Sequence, residues 1–279
     1  MTSLSDNIFK NNKREVGADN LFWLPKDYSR WEDQPLPIYF EGSRGTGKTT
    51  ILQSFEWEKR IKNSSLKNEL CRRYDEDFDS ISNEKYLHDV AFKHKTIGIY
   101  HSILSFTESH FSDLAETDKA RAYSAYLECQ WLNEFISAVS ALRNYQIFEF
   151  TRADEKYIVK SIFEKYPSLK NISEYDDYTL VSLNSSVKDV WTGISTSVKK
   201  EDDFLPFKDF LNEAVPRLGS FLHNIVHPLL LLCESKGNIA KYVDDKFGVL
   251  KEPEWRLCIC IDYDPLEEEK TSIKQKLVN

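Results

Sequence analysis

Gly42, Ser43, Arg44, Gly45, Thr46, Gly47, Lys48 and Thr49 fit the pattern G-x-x-x-x-G-K-[ST] at every fixed position, and Thr50 extends the run. Each residue type has a task in holding a polyphosphate. The glycines allow a tight turn that aims backbone N–H groups inward at phosphate oxygens. If a helix begins at the loop's end, its dipole adds to the attraction for an anion. Lys48 is then placed to reach the β- and γ-phosphates, and the Thr49 hydroxyl to ligate Mg²⁺. The chemistry expected of residues 42–50 is therefore capture of a nucleoside triphosphate, ATP with Mg²⁺. The competing reading is a glycine-rich turn beside an incidental lysine. An apolar stretch directly before the loop and an amphipathic one directly after it favour phosphate binding.

Such a site also needs a carboxylate at the tip of a neighbouring strand, to hold the metal's water shell, and a second acid beside it to orient the attacking water. The run Leu257, Cys258, Ile259, Cys260, Ile261 ends in Asp262, Tyr263 and Asp264. Asp262 falls where the metal-binding acid belongs, so the metal residues expected are Thr49 and Asp262. The following position, where an ATPase often carries Glu, is Tyr263. Asp264 and Glu267 are near but out of register. Lys48, Asp262 and Asp264 are the catalytic candidates, set against a plain strand that ends in the polar turn Asp264-Pro265. A rival acidic strand, residues 229–233 followed by Glu234, lacks the metal-binding Asp and follows a proline.

These residues must be carried by regular elements. Residues 37–41 form a short apolar strand candidate that ends at a glycine. Ile51, Leu52 and Phe55 open an amphipathic helix expected to run to about Lys62. Residues 1–35 read as an extended lead-in pinned by Phe22, Trp23 and Trp31, and the charged stretch 67–84 as a solvated loop. Alternation of Ile97, Ile99, His101 and Ile103 predicts a strand over 96–104. Apolar residues at intervals of three and four predict a long helix from Ala120 to Leu142 and a second from Leu180 to Ile194. Residues 195–203 read as a loop, 218–226 as helix up to Pro228, and 256–261 as a compact strand. The fold class is α/β: a P-loop NTPase core, a parallel sheet flanked by helices, with a large helical insertion between the P-loop and the acidic strand. The division expected is a lead-in over 1–36 and an NTPase domain over 37–279, with the insertion at about 110–235.

Composition narrows the classes. The 279 residues are 41% hydrophobic and 29% charged, ordinary for a globular chain long enough to bury one large core or two modest ones. The net charge of −8 argues against wholesale electrostatic capture of nucleic acid while leaving room for a local basic patch. DNA thus stays open as a partner without support from charge. Five cysteines without a CxxC pair suggest neither a disulfide framework nor a zinc site, so a reducing cytoplasm is expected. The N-terminus has no apolar signal core, and the longest apolar runs fall far short of the ~20 residues that span a bilayer, so no membrane association is expected. His223 and His227 have zinc-ligand spacing without the metalloprotease Glu between them. The DxxG match at Asp245 and Gly248 is followed by no guanine-reading motif.

The stretch around Asn7, Ile8 and Phe9, the run GSRGTGKTT, IGIY at 97–100 and the late ICIDYDPLEEE together resemble the ORC/Cdc6-like branch of the AAA+ ATPases. More narrowly they resemble its bacterial members, large ATPases often suspected of roles in anti-phage defence. The resemblance implies phosphate contacts for residues 42–50 and Mg²⁺ contact through Thr49 and Asp262. In that branch the acidic strand often ends in an Asp-Glu-Tyr-Glu-like sequence. Aligning its tyrosine with Tyr263 would place Ile261 at the Asp position and Asp262 at the Glu position. Either register leaves one of two acids missing. Few residues follow Asp262, so a sensor strand and lid domain are expected from a partner chain or from sequence beyond this one.

Two functions follow. In one, an ATPase switch couples Mg·ATP binding and slow hydrolysis to contacts with a partner protein, a second copy or DNA. In the other, a nucleotide-binding module does not hydrolyse and is completed by a partner. A P-loop kinase ranks third, because no Arg-rich lid follows the loop.

Overall fold

The computed structural model describes residues 22–33, 37–41, 46–102, 116–172, 178–197, 221–244, 248–249 and 252–262. It is an α/β structure, mostly helical, with a small parallel sheet. The chain divides into two compact units. The described residues of 1–103 and 256–263 form one, and those of 104–255 form the other.

The first unit is built on two strands, β1 (Thr96–Ser102) and β4 (Arg256–Asp262). They pair in parallel, from Thr96 opposite Arg256 to Ser102 opposite Asp262. Both were legible as runs of β-branched and small apolar residues. Because side chains alternate between faces, Ile97, Ile99 and His101 share one face of β1, and Gly98, Tyr100 and Ser102 share the other.

Four short helices belong to the same unit: α1 (Tyr28–Glu32), α2 (Lys48–Gln53), α3 (Trp57–Lys62) and α4 (Ser64–Arg73), of which α2 lies against β4 and α3 against β1. The single helix expected from Ile51 to Lys62 is therefore broken. Ser54 is fully buried and sits where α2 closes, and Glu56 is extended and bridges in parallel to Gly98. That crossing is possible only at a glycine, since a Cβ at residue 98 would lie 1.8 Å from the Phe55 carbonyl oxygen.

Three further expectations are corrected in this unit. Residues 37–41 form no strand: Pro37 lacks a ladder donor, and Tyr39 is 85% exposed. The lead-in is not wholly extended, because α1 interrupts it. Its Tyr28 and Glu32 are buried beside Arg60, whose guanidinium also donates to the carbonyls of Ser54 at 2.9 Å and Ala91 at 2.6 Å. The charged stretch 67–84 is a loop only in part. Asn63 caps α4 through Leu66 N–H at 2.8 Å, and α4 buries Leu66, Leu70 and Cys71 beneath its charged face. A helical turn, Asn83–Lys85, then leads into a π-helical segment, Tyr86–Ala91, with Tyr86, Leu87 and Val90 inside.

The second unit is helical: α5 (Glu116–Asn144), α6 (Arg152–Lys165), α7 (Pro167–Ile172), α8 (Leu180–Ser197) and α9 (Phe221–Glu234), followed by a small antiparallel pair, β2 (Val243–Asp244) and β3 (Gly248–Val249). The long stripes predicted α5 and α8 well. Their apolar faces lie along each other and bury Phe135, Val139, Leu142, Leu183, Val187 and Val190. Thr151 and Asp154 form a capping box at the start of α6, and Glu155 accepts from Leu180 N–H at 2.8 Å at the start of α8.

Two corrections belong here as well. Helix α8 continues to Ser197, into residues read as loop. Helix α9 does not stop at Pro228 but runs through it, so the rival acidic strand at 229–233 is helix. An internal proline costs ~3 kcal/mol, and burial of Leu229, Leu230, Leu231, Leu232 and Cys233 offsets it. Among the described residues no helix is long and apolar enough to cross a membrane.

Candidate functional site

Gly47 turns the chain into α2 with φ 86°, a left-handed conformation that glycine adopts without strain. Its carbonyl accepts the Ile51 N–H at 3.0 Å, which starts the helix with Lys48, Thr49 and Thr50 in the first turn. The Lys48 ammonium lies 3.5 Å from the Thr46 hydroxyl. Gly42, Ser43, Arg44 and Gly45 lie outside the described residues, as does Asp264.

Helix α2 approaches β4, and its first turn meets the strand's last residue. The Thr49 hydroxyl donates to Asp262 Oδ2 at 2.7 Å, although 213 positions separate them. The parallel register creates this meeting by carrying β4 to its end at Asp262 opposite Ser102. The sequence reading assigned no role to the next neighbour. Tyr100 donates its phenol to the same Asp262 Oδ2 at 2.9 Å. Burial, followed by the Asp262 charge and this hydrogen bond, pushes the Tyr100 pKa above the ordinary phenol value, so the group remains a donor. The Gln53 and Ser102 side chains lie beside its hydroxyl and oppose that shift in part. The Lys59 ammonium sits 5.9 Å from the ring centroid and 3.5 Å from Glu56. Tyr100 stands in the quoted IGIY run, and the signal that might have found it is period-two alternation. Two residues before the partner of Asp262, it must share that acid's face once the register is known.

Cys258 and Cys260 lie on that face too, with sulfurs 3.8 Å apart. Mutual hydrogen bonding, ahead of burial, splits their acidities, with Cys258 drawn below and Cys260 pushed above the usual thiol range.

The donor set suits a hard cation. A hydroxyl and a carboxylate oxygen stand together, and Mg²⁺ takes one or two protein oxygens and fills its octahedron with water and phosphate. No group of three or more His, Cys, Asp or Glu among the described residues is placed to hold a metal on its own. In the second unit the His223 and His227 rings stack with centroids 5.3 Å apart, and His227 lies 3.7 Å from Glu252.

The family model described as ORC-CDC6-like matches residues 18–262. No curated protein and no solved structure matches the chain.

Proposed function

The chain belongs to the ORC-CDC6-like family, of AAA+ P-loop ATPase type, and from that premise we propose that it binds ATP with Mg²⁺ on residues 42–50 and uses the bound nucleotide to set its affinity for a protein partner or a further copy of itself. The observation that carries this reading is the 2.7 Å hydrogen bond between Thr49 and Asp262. It joins the hydroxyl of the loop motif to the acid at a strand tip, the pairing a metal-nucleotide site requires. Residues 37–41 serve as a connector into the loop, and the helical insertion at about 110–235 offers the partner surface.

In this mechanism Lys48 would place its ammonium at the β- and γ-phosphates, and Thr49 and Asp262 would hold the Mg²⁺ shell through their oxygens. Mg²⁺, when bound, supplies neutralisation of the phosphate charge. Asp262 or Asp264 orients the water, which makes hydrolysis slow where a paired Glu would make it fast. A second reading, a module that binds without turnover, is favoured by one observation: the position after Asp262 is Tyr263, which cannot take up the water's proton near neutral pH. Phosphate release at saturating Mg·ATP separates the two.

Calorimetry with Mg·ATP on the whole chain and on Lys48→Ala tests binding. Loss of charge-assisted contacts should weaken affinity by ~10- to 150-fold. Equal affinity in the two proteins would remove the loop from the site.

A further inference from the structure

The geometry points to Tyr100 as a positioning residue that fixes Asp262 for the Mg²⁺-dependent part of nucleotide binding, an inference that rests on the reading above. Asp262 is the last described residue of β4, opposite Ser102 of β1. A carboxylate at such a tip has two side-chain torsions to settle. Two hydroxyls settle them by converging on a single oxygen, Oδ2: Thr49 from α2 at 2.7 Å and Tyr100 from β1 at 2.9 Å. Oδ1 accepts no hydrogen bond among the described residues.

The two donors differ in kind. Thr49 is exposed, and its hydroxyl is the group the metal-nucleotide engages. Tyr100 is partly buried in the sheet, diagonal to Asp262 in the parallel register, and its acidity is suppressed by burial and by the acid it faces. Its hydroxyl also meets Gln53, the last residue of α2. The phenol therefore links the end of α2 to β1 at Gln53, while Asp262 links its first turn to β4 at Thr49. If the Thr49 hydroxyl were engaged by the metal-nucleotide, Tyr100 would be the donor left to hold Oδ2 and so the orientation of the carboxylate.

The test is ATP affinity of the whole chain with Mg²⁺ and with EDTA, for wild type, Tyr100→Phe, Asp262→Asn and the double variant. Tyr100→Phe keeps the ring and removes one hydroxyl. It should lose about tenfold in affinity with Mg²⁺ and less than about twofold in EDTA. On the Asp262→Asn background it should add no further loss. Equal affinity of Tyr100→Phe and wild type in Mg²⁺ overturns the inference while the nucleotide reading stands. Equal losses with and without Mg²⁺ also overturn it, because they mark a merely structural hydroxyl. If wild type itself shows no binding that Lys48→Ala removes, the nucleotide reading falls and takes the inference with it.

Discussion

Two hydroxyls meet at Asp262 Oδ2, and the one on Thr49 belongs to a residue that a single methyl distinguishes from serine. Thr49→Ser keeps the donor and should hold Mg·ATP within about twofold of wild type, whereas Thr49→Val keeps the shape and should lose ~10-fold or more. A Mg²⁺ titration of ATP binding checks both. Equal affinities for Ser and Val at this position would mean that the hydroxyl is idle. At this scale the sequence revealed what local pattern can reveal. Thr49 is named by the residues around it, and Asp262 by the apolar run that stops there. Tyr100 was invisible because its partner is 162 positions away. Which acid it faces depends on register, and register is decided by the pairing of whole strands.

The elements of the first unit hold together through two features that no local motif announces. One is Gly98, where the backbone after α2 crosses β1. In Gly98→Ala the new Cβ meets backbone rather than a yielding side chain, at 1.8 Å from the Phe55 oxygen. The cost should be ~1–3 kcal/mol or more, read as a fall in Tm together with weakened Mg·ATP binding although every loop residue is intact. The other is the Arg60 centre. Arg60 is ion-paired to buried Glu32, donates to the Tyr28 hydroxyl, and reaches His94 through Glu32 and Tyr74. Removing one partner strands a buried charge, so Arg60→Met should cost ~3–5 kcal/mol, while Arg60→Met with Glu32→Leu should recover much of the loss. Denaturant unfolding of the three proteins checks this. His101 gives a pH signature. Burial lowers its pKa from the usual 6.5, so the unfolded chain takes up the proton first as the pH falls. Stability at this position is complete above about pH 6.5 and declines as the solution is acidified through and below it. His101→Phe should flatten part of that decline. Here the sequence was a mixed guide. The alternating strands and the long amphipathic stripes were plain. Helix α4 was hidden because its buried Leu66, Leu70 and Cys71 sit among charges that dominate a linear reading. Helix α9 was cut short because the local cost of Pro228 is visible in sequence and the burial that outweighs it is not.

For the whole molecule the decisive fact is the order of its parts along the chain. Among the described residues the helical unit falls wholly within 104–255, and the first unit is closed by a strand that comes after it. Each unit has its own core, so Arg60→Met should speed amide exchange in β1 and α3 and leave α5 unchanged, as hydrogen exchange with mass-spectrometric readout would show. Acceleration spread evenly over both would mean a single cooperative block. The separation of Thr49 from Asp262 also has a meaning in time. With 213 residues between them, and synthesis at ~5–20 residues per second, the acid emerges about 10–40 s after the hydroxyl it receives. For the later part of that interval, once β1 is made and until Arg256 follows, the β1 edge that β4 will cover is bare. The ribosome thus releases the described helices of the second unit before the half-made site can close.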